Sequence, residues 1–141
     1  MKRFFIAISI SSIFISIPTL AAPVSVSFHN LGAVPMTVSK LSTCAALYPE
    51  LTSVAPKSTS PVSTADCGTS ITAVHVGYSM GLKNCTFHIS VTYKNPPMFL
   101  KSGGWIPNYS VEQSGGARCK IESQAFSGIE SGAFKAVFSM K

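Results

Sequence analysis

Alternation of apolar and polar residues with a period of two constrains the fold of this chain most strongly. In residues 85–93 every odd-numbered position is apolar or aromatic and every even-numbered position is polar. Side chains of a β-strand point alternately to the two faces of a sheet, so such a segment has one buried and one solvent-facing side. The pattern therefore predicts a half-buried strand and not a helix.

A second alternating segment, residues 74–78, lies just upstream, and a short turn-forming segment separates the two. Pairing Tyr78 with Cys85 places the apolar residues of both strands on one face of a hairpin. In that register His75 lies directly opposite His88 on the polar face. Two imidazoles at this spacing are weak candidates for a metal pair or a pH-sensitive pair.

Residues 24–28 and 34–38 also alternate, on either side of a turn-forming Asn-Leu-Gly segment. We expect these segments to pair as a hairpin in which Phe28 faces Val34. Because proline cannot donate a ladder hydrogen bond, Pro35 indicates that the second strand lies at a sheet edge.

Further alternation in residues 117–122 and 134–140 predicts two strands near the C-terminus, and a shorter strand is expected around Tyr109 and Val111. About seven short strands with one buried face each are typical of an all-β fold. We predict an antiparallel β-sandwich or small barrel of about seven strands, immunoglobulin-like or aegerolysin-like in architecture.

One segment, residues 43–51, looks helical and is stopped by Pro49, so one short helix is expected. Residues 52–70 are rich in Ser, Thr and Pro and predict a long irregular surface loop. Mucin-like decoration or a flexible linker is the alternative interpretation of that loop.

Four cysteines allow three disulfide pairings, and their spacing alone does not select one. Cys44 and Cys67 bracket the long loop, while Cys85 and Cys119 both project from the apolar faces of predicted strands. We therefore predict the pairs Cys44–Cys67 and Cys85–Cys119.

Residues 1–21 have the three-part layout of a secretory signal peptide, with Lys2 and Arg3 before an apolar run and Ala21 at the expected cleavage site. The apolar run is shorter than the roughly 20 residues that span a bilayer as a helix. The expected mature chain is one domain, residues 22–141. The short basic leader is typical of a bacterial protein.

Export explains the cysteines, because disulfides persist in oxidising compartments. We predict a secreted or periplasmic protein, and the sequence does not separate the two locations. Removing Lys2 and Arg3 lowers the basic count from 11 to 9, so five acidic residues leave a net charge of +4. These basic residues are scattered along the chain, which argues against nucleic acid as a partner.

Catalytic constellations are missing from the sequence. The sole aspartate, Asp66, lies in the irregular loop, and no Gly-x-Ser-x-Gly motif of a hydrolase occurs. No Cys/His spacing of a zinc site is present either. We therefore expect no enzymatic activity, no cofactor and no metal site beyond the weak His75 and His88 pair.

The segment of residues 94–107 concentrates large apolar side chains in a connection punctuated by Pro and Gly. Binding sites are commonly built on loops that a rigid scaffold positions. The alternative is that these side chains close one end of the sandwich over its own core. We predict a binding surface made of Met98, Phe99, Leu100 and Trp105, flanked by Lys94 and Lys101.

Two short segments, residues 26–32 (VSFHNLG) and 131–134 (SGAF), resemble the first and last strands of aegerolysins, which are small β-sandwich proteins that bind lipids. The resemblance covers about a tenth of the chain. It implies a sandwich fold and adds weight to a lipid partner. Trp105 is the sole tryptophan, whereas that family is expected to carry several.

The leading functional hypothesis is a small secreted, disulfide-stabilised binding protein that acts on a protein or on an envelope or host surface, as a virulence factor would. One alternative is a membrane-active protein, either lipid-binding or pore-forming. Another is an extracytoplasmic inhibitor or immunity protein.

Overall fold

The structure, a computed structural model, describes residues 22–95 and 103–141, which form two packed four-stranded sheets. The predicted leader and the predicted binding residues Met98, Phe99, Leu100 and Lys101 lie outside the described residues. The strands are β1 (Val24–Asn30), β2 (Thr37–Thr43), β3 (Ser63–Ala65), β4 (Ile71–Met80), β5 (Lys83–Lys94), β6 (Gly104–Ser114), β7 (Cys119–Phe126) and β8 (Phe134–Met140).

The first sheet has the order β3-β1-β8-β7 and the second has the order β2-β4-β5-β6. The all-β sandwich and both predicted disulfides are confirmed. One pairing departs from the antiparallel expectation, because β1 and β8 run parallel at the centre of the first sheet. Their register places Phe28 beside Phe138, so the apolar faces of the first and last strands are buried together.

The predicted hairpin of β4 and β5 is confirmed residue by residue. Tyr78 pairs with Cys85, and His75 pairs with His88 on the opposite face. Over residues 74–80 and 85–91 the apolar side chains are buried, and the polar side chains between them are partly exposed. Sequence alternation sets this register because a slip of one residue would turn every apolar side chain to water.

The predicted pairing of residues 24–28 with residues 34–38 is wrong, because β2 crosses to the second sheet and pairs with β4. The buried Asn30 explains the crossing. Its side-chain amide donates to the carbonyls of Val34 and Val54, each at 2.9 Å, and its Oδ1 accepts from the Gly32 amide at 2.8 Å. These bonds organise a wide crossover in place of a tight turn.

The short helix expected over residues 43–51 does not form. Thr43 ends β2, and Tyr48 forms an isolated bridge with Thr64. The loop expected over residues 52–70 contains β3, which pairs with β1 and raises the strand count to eight among the described residues. Tyr48 and Thr64 exchange both backbone hydrogen bonds, and this pairing outweighs the local helical preference of residues 43–51. None of the described residues forms a helix that could span a bilayer.

Trp105 lies in β6 and not in the expected loop, and only 2% of it is exposed. Its amide donates to the carbonyl of Ile129 at 2.9 Å, and its ring meets that of Tyr93 edge to face at 5.4 Å. A side chain added at Gly132 would overlap the indole. Trp105 therefore closes one end of the core, as the alternative to a binding surface expects for this side chain.

We expect Gly132→Ala to destabilise the protein much more than Gly116→Ala. Both glycines have a left-handed backbone, with φ of +68° and +75°, but only Gly132 faces the Trp105 ring. The left-handed conformation should cost each variant about 1–2 kcal/mol. Overlap with the indole should add about 1–3 kcal/mol to Gly132→Ala. Urea unfolding measures the difference, and equal costs would contradict the packing of Trp105 against Gly132.

Candidate functional site

Basic side chains concentrate at the end of the sandwich where β1 and β8 finish. The Leu31 amide donates to the Met140 carbonyl at 2.8 Å, and the nearby Cys85–Cys119 disulfide joins the two sheets with Cα atoms 5.8 Å apart. This end, which we call the cationic end, carries five of the nine basic residues outside residues 1–21: Lys57, Lys83, Arg118, Lys120 and Lys141.

Four of these five basic side chains lack an acidic partner within the described residues. Lys120 is the exception, since its ammonium lies 3.2 Å from a carboxylate oxygen of Glu122. Lys57 instead donates to the carbonyl of Leu31, which holds its charge close to the crossover after β1. The cationic end therefore presents positive charge that the described residues do not neutralise, as an anionic partner requires.

Two surface depressions of about 350 Å³ each open at the cationic end. Both are lined by Leu31 and Lys141, so they are neighbours. Arg118 and Lys120 line the first, and Lys57 and Lys83 line the second.

Apolar side chains are also exposed at the cationic end. Leu82 is 89% exposed at the tip of the β4–β5 turn, and Val34 is 50% exposed in the adjacent crossover. The tip is not loose, because Gly81 adopts φ +64° and the turn after β6 packs so closely that a side chain at Gly115 would overlap the Leu82 backbone. Single exposed apolar residues are common on proteins, but an exposed leucine in a closely packed turn, next to the unpaired Lys83, combines the apolar and basic contacts that proteins use at membrane interfaces.

A second polar site lies on the outer face of the second sheet. The rings of His75 and His88 meet edge to face at 4.6 Å beside a depression of about 280 Å³. His88 Nε2 is buried without a hydrogen-bond partner, and it lies 3.6 Å from Glu112 Oε1, beyond hydrogen-bonding distance. In the described part of the chain, no three His, Cys, Asp or Glu side chains are arranged to hold a metal ion.

Burial, then the neighbouring His88 and then Lys40 hold the pKa of His75 below its ordinary value of 6.5. Each of these effects disfavours the charged imidazolium. His75 is therefore uncharged near neutral pH.

Because the pKa of His75 is lower in the folded protein than the ordinary value of 6.5, the unfolded chain binds more protons below about pH 6.5. The free energy of unfolding should therefore decrease as the pH falls below that value. The loss is complete once the pH passes below the lowered pKa. Urea unfolding measured at about pH 7.5 and at about pH 5 should show a smaller decrease in the free energy of unfolding for His75→Gln than for the wild type. Lys40, His88 and Glu112 also face this site and stay in both proteins. His29→Gln, on the other sheet, is the control, and an unchanged loss in His75→Gln would contradict the prediction.

Of the binding residues predicted from the sequence, the structure describes Lys94 and Trp105, and both lie at the other end of the sandwich from the cationic end. Lys94 is exposed at the end of β5, Trp105 is buried, and residues 96–102 lie outside the described residues. The cationic end was missed because its basic residues are far apart in sequence. A usable signal was present, since Lys57, Lys83 and Arg118 each lie in or beside a turn.

No protein-family model and no curated protein sequence matches this chain. Among solved structures, its fold is similar to that of the lipid binding protein Nakanori, with a TM-score of 0.51 and 11% sequence identity. The match covers 85% of this chain and 71% of that chain. At this level of identity the similarity is one of fold.

Proposed function

We propose that this protein is a non-enzymatic protein of an oxidising, extracytoplasmic environment that docks its cationic end on anionic lipid surfaces. The two disulfides are typical of proteins from such compartments. The observation that carries the proposal is the 89% exposed Leu82, which lies in a closely packed turn beside Lys83, at the end whose basic side chains mostly have no acidic partner in the described residues.

The energetics of this surface favour a membrane interface. Each Lys or Arg near an anionic lipid surface contributes about 1 kcal/mol, so the four cations without an acidic partner contribute about 4 kcal/mol. Burying Leu82 among acyl chains adds about 1.5–3 kcal/mol. Together these terms support reversible docking, and they need no transmembrane segment.

The structural comparison supports the same partner. Nakanori is described as a lipid binding protein, and its fold is similar to this one. The sequence-based alternative of a lipid-binding protein thus gains support over the alternatives of an inhibitor or an immunity protein. A protein partner and a pore-forming action both stay predictions.

The test is co-sedimentation with vesicles of phosphatidylcholine alone or mixed with phosphatidylglycerol. We expect binding that requires phosphatidylglycerol and weakens as salt rises, because salt screens exposed charges. Leu82→Ser should weaken binding about tenfold, since it removes the apolar anchor. Ile129→Ser is the matched control, because Ile129 is 58% exposed at the other end and should not touch the lipid.

The segment predicted from the sequence gives the decisive contrast. If Phe99→Ser weakens vesicle binding and Leu82→Ser does not, docking occurs through residues 96–102 and the cationic end is the wrong surface. If the wild-type protein sediments with neither vesicle, lipid docking itself is wrong.

A further inference from the structure

We propose that the depression lined by Arg118, Lys120 and Lys141 binds a phosphate-type oxyanion, and that on a membrane this oxyanion is a phosphomonoester headgroup. The assignment to a headgroup rests on the proposed function, whereas the oxyanion site itself rests on the geometry described next. We call this depression the Arg118 pocket.

Backbone pairing holds two cations side by side at the Arg118 pocket. Arg118 and Lys141 exchange both backbone hydrogen bonds, each at 2.9 Å, so they are directly opposite one another. Cys119 turns inward to its disulfide, so its neighbour Arg118 projects from the outer face of the first sheet. Like charges directly opposite each other destabilise an antiparallel pair. An anion between them would remove that cost.

A third cation extends the pocket. Lys120 lies two residues from Arg118 on the same face, opposite Ser139. Glu122 pairs with Lys120 and accepts the Ser139 hydroxyl at 2.5 Å. The Ser139 hydroxyl bond, followed by Lys120, holds the pKa of Glu122 below its ordinary value. Glu122 therefore stays negatively charged and neutralises one of the three positive charges.

Charge and donor geometry both suit a phosphomonoester. Three cations and one carboxylate leave a net side-chain charge of +2, and a phosphomonoester carries about −1.5 to −2 near neutral pH. The guanidinium of Arg118 can donate two parallel hydrogen bonds to such an oxyanion. Gln113 also lines the pocket, and its Oε1 accepts from the Cys119 amide at 3.1 Å, which leaves its amide nitrogen as a further donor.

The first experiment uses inorganic phosphate without lipid. Thermal unfolding is followed while phosphate is titrated against sodium chloride at equal ionic strength. We expect saturable stabilisation of the wild type, and about tenfold weaker phosphate binding in Arg118→Gln, because a charge-assisted bidentate contact is lost. Lys135→Gln is the matched control. It removes one exposed positive charge from β8, at the end away from the pocket.

The second experiment identifies the source of the oxyanion. Vesicles containing phosphatidic acid, a phosphomonoester, are compared with vesicles of phosphatidylglycerol, a phosphodiester, at equal surface potential. We expect the wild type and Lys135→Gln to bind phosphatidic acid several-fold more tightly. Arg118→Gln should lose that preference while it still binds phosphatidylglycerol through the rest of the cationic end.

The outcomes separate this inference from the proposed function. Phosphate that stabilises no better than chloride, or that stabilises Arg118→Gln as well as the wild type, overturns the oxyanion site. Vesicle binding without any phosphomonoester preference overturns the headgroup assignment and leaves lipid docking intact. If the protein binds phosphate but no vesicle, the oxyanion site is supported and its ligand is free phosphate. In that case the proposal of lipid docking is wrong.

Discussion

Packing of Phe28 between the two sheets is the interaction on which the rest of the structure depends. Its ring contacts Phe138 in its own sheet and Tyr78 and Phe87 across the core, at centroid distances of 4.8–5.8 Å. Aromatic clusters of this kind bury large areas and favour tilted or offset geometries. Because β1 and β8 share this cluster, the first and last strands lie side by side at the centre of one sheet, and their ends define both ends of the sandwich.

The two ends are closed by different chemistry. At one end Trp105 covers the core beneath Gly132, and at the other the Cys85–Cys119 disulfide ties β5 to β7. The turns beside this disulfide are therefore mounted on a covalently joined frame. Rigid mounting lowers the conformational entropy lost on binding, which is why exposed turns on a fixed scaffold are suited to recognition.

Positive charge at the cationic end is a product of topology. The connection from β2 to β3, the turns after β4 and β6, and the pairing of β7 with β8 bring five basic side chains together, and the backbone pairing of Arg118 with Lys141 places two of them directly opposite each other. The His75 and His88 pair differs, because its placement follows from the register of a single hairpin. Local pairing was therefore readable from the sequence, whereas the turns beside Lys57, Lys83 and Arg118 did not indicate that these residues meet at one end.

The sequence by itself determined what depends on neighbouring residues: the strands of period two, the register of β4 with β5, and the inward direction of Cys85 and Cys119. Only the tertiary structure decided that β2 crosses to the second sheet, that residues 43–51 form no helix, that β3 adds an eighth strand and that Trp105 is buried. The physical reason is the range of the interactions. Alternation fixes which face of a strand is apolar, whereas the buried bonds of Asn30 and the partners of edge strands join residues far apart in the chain.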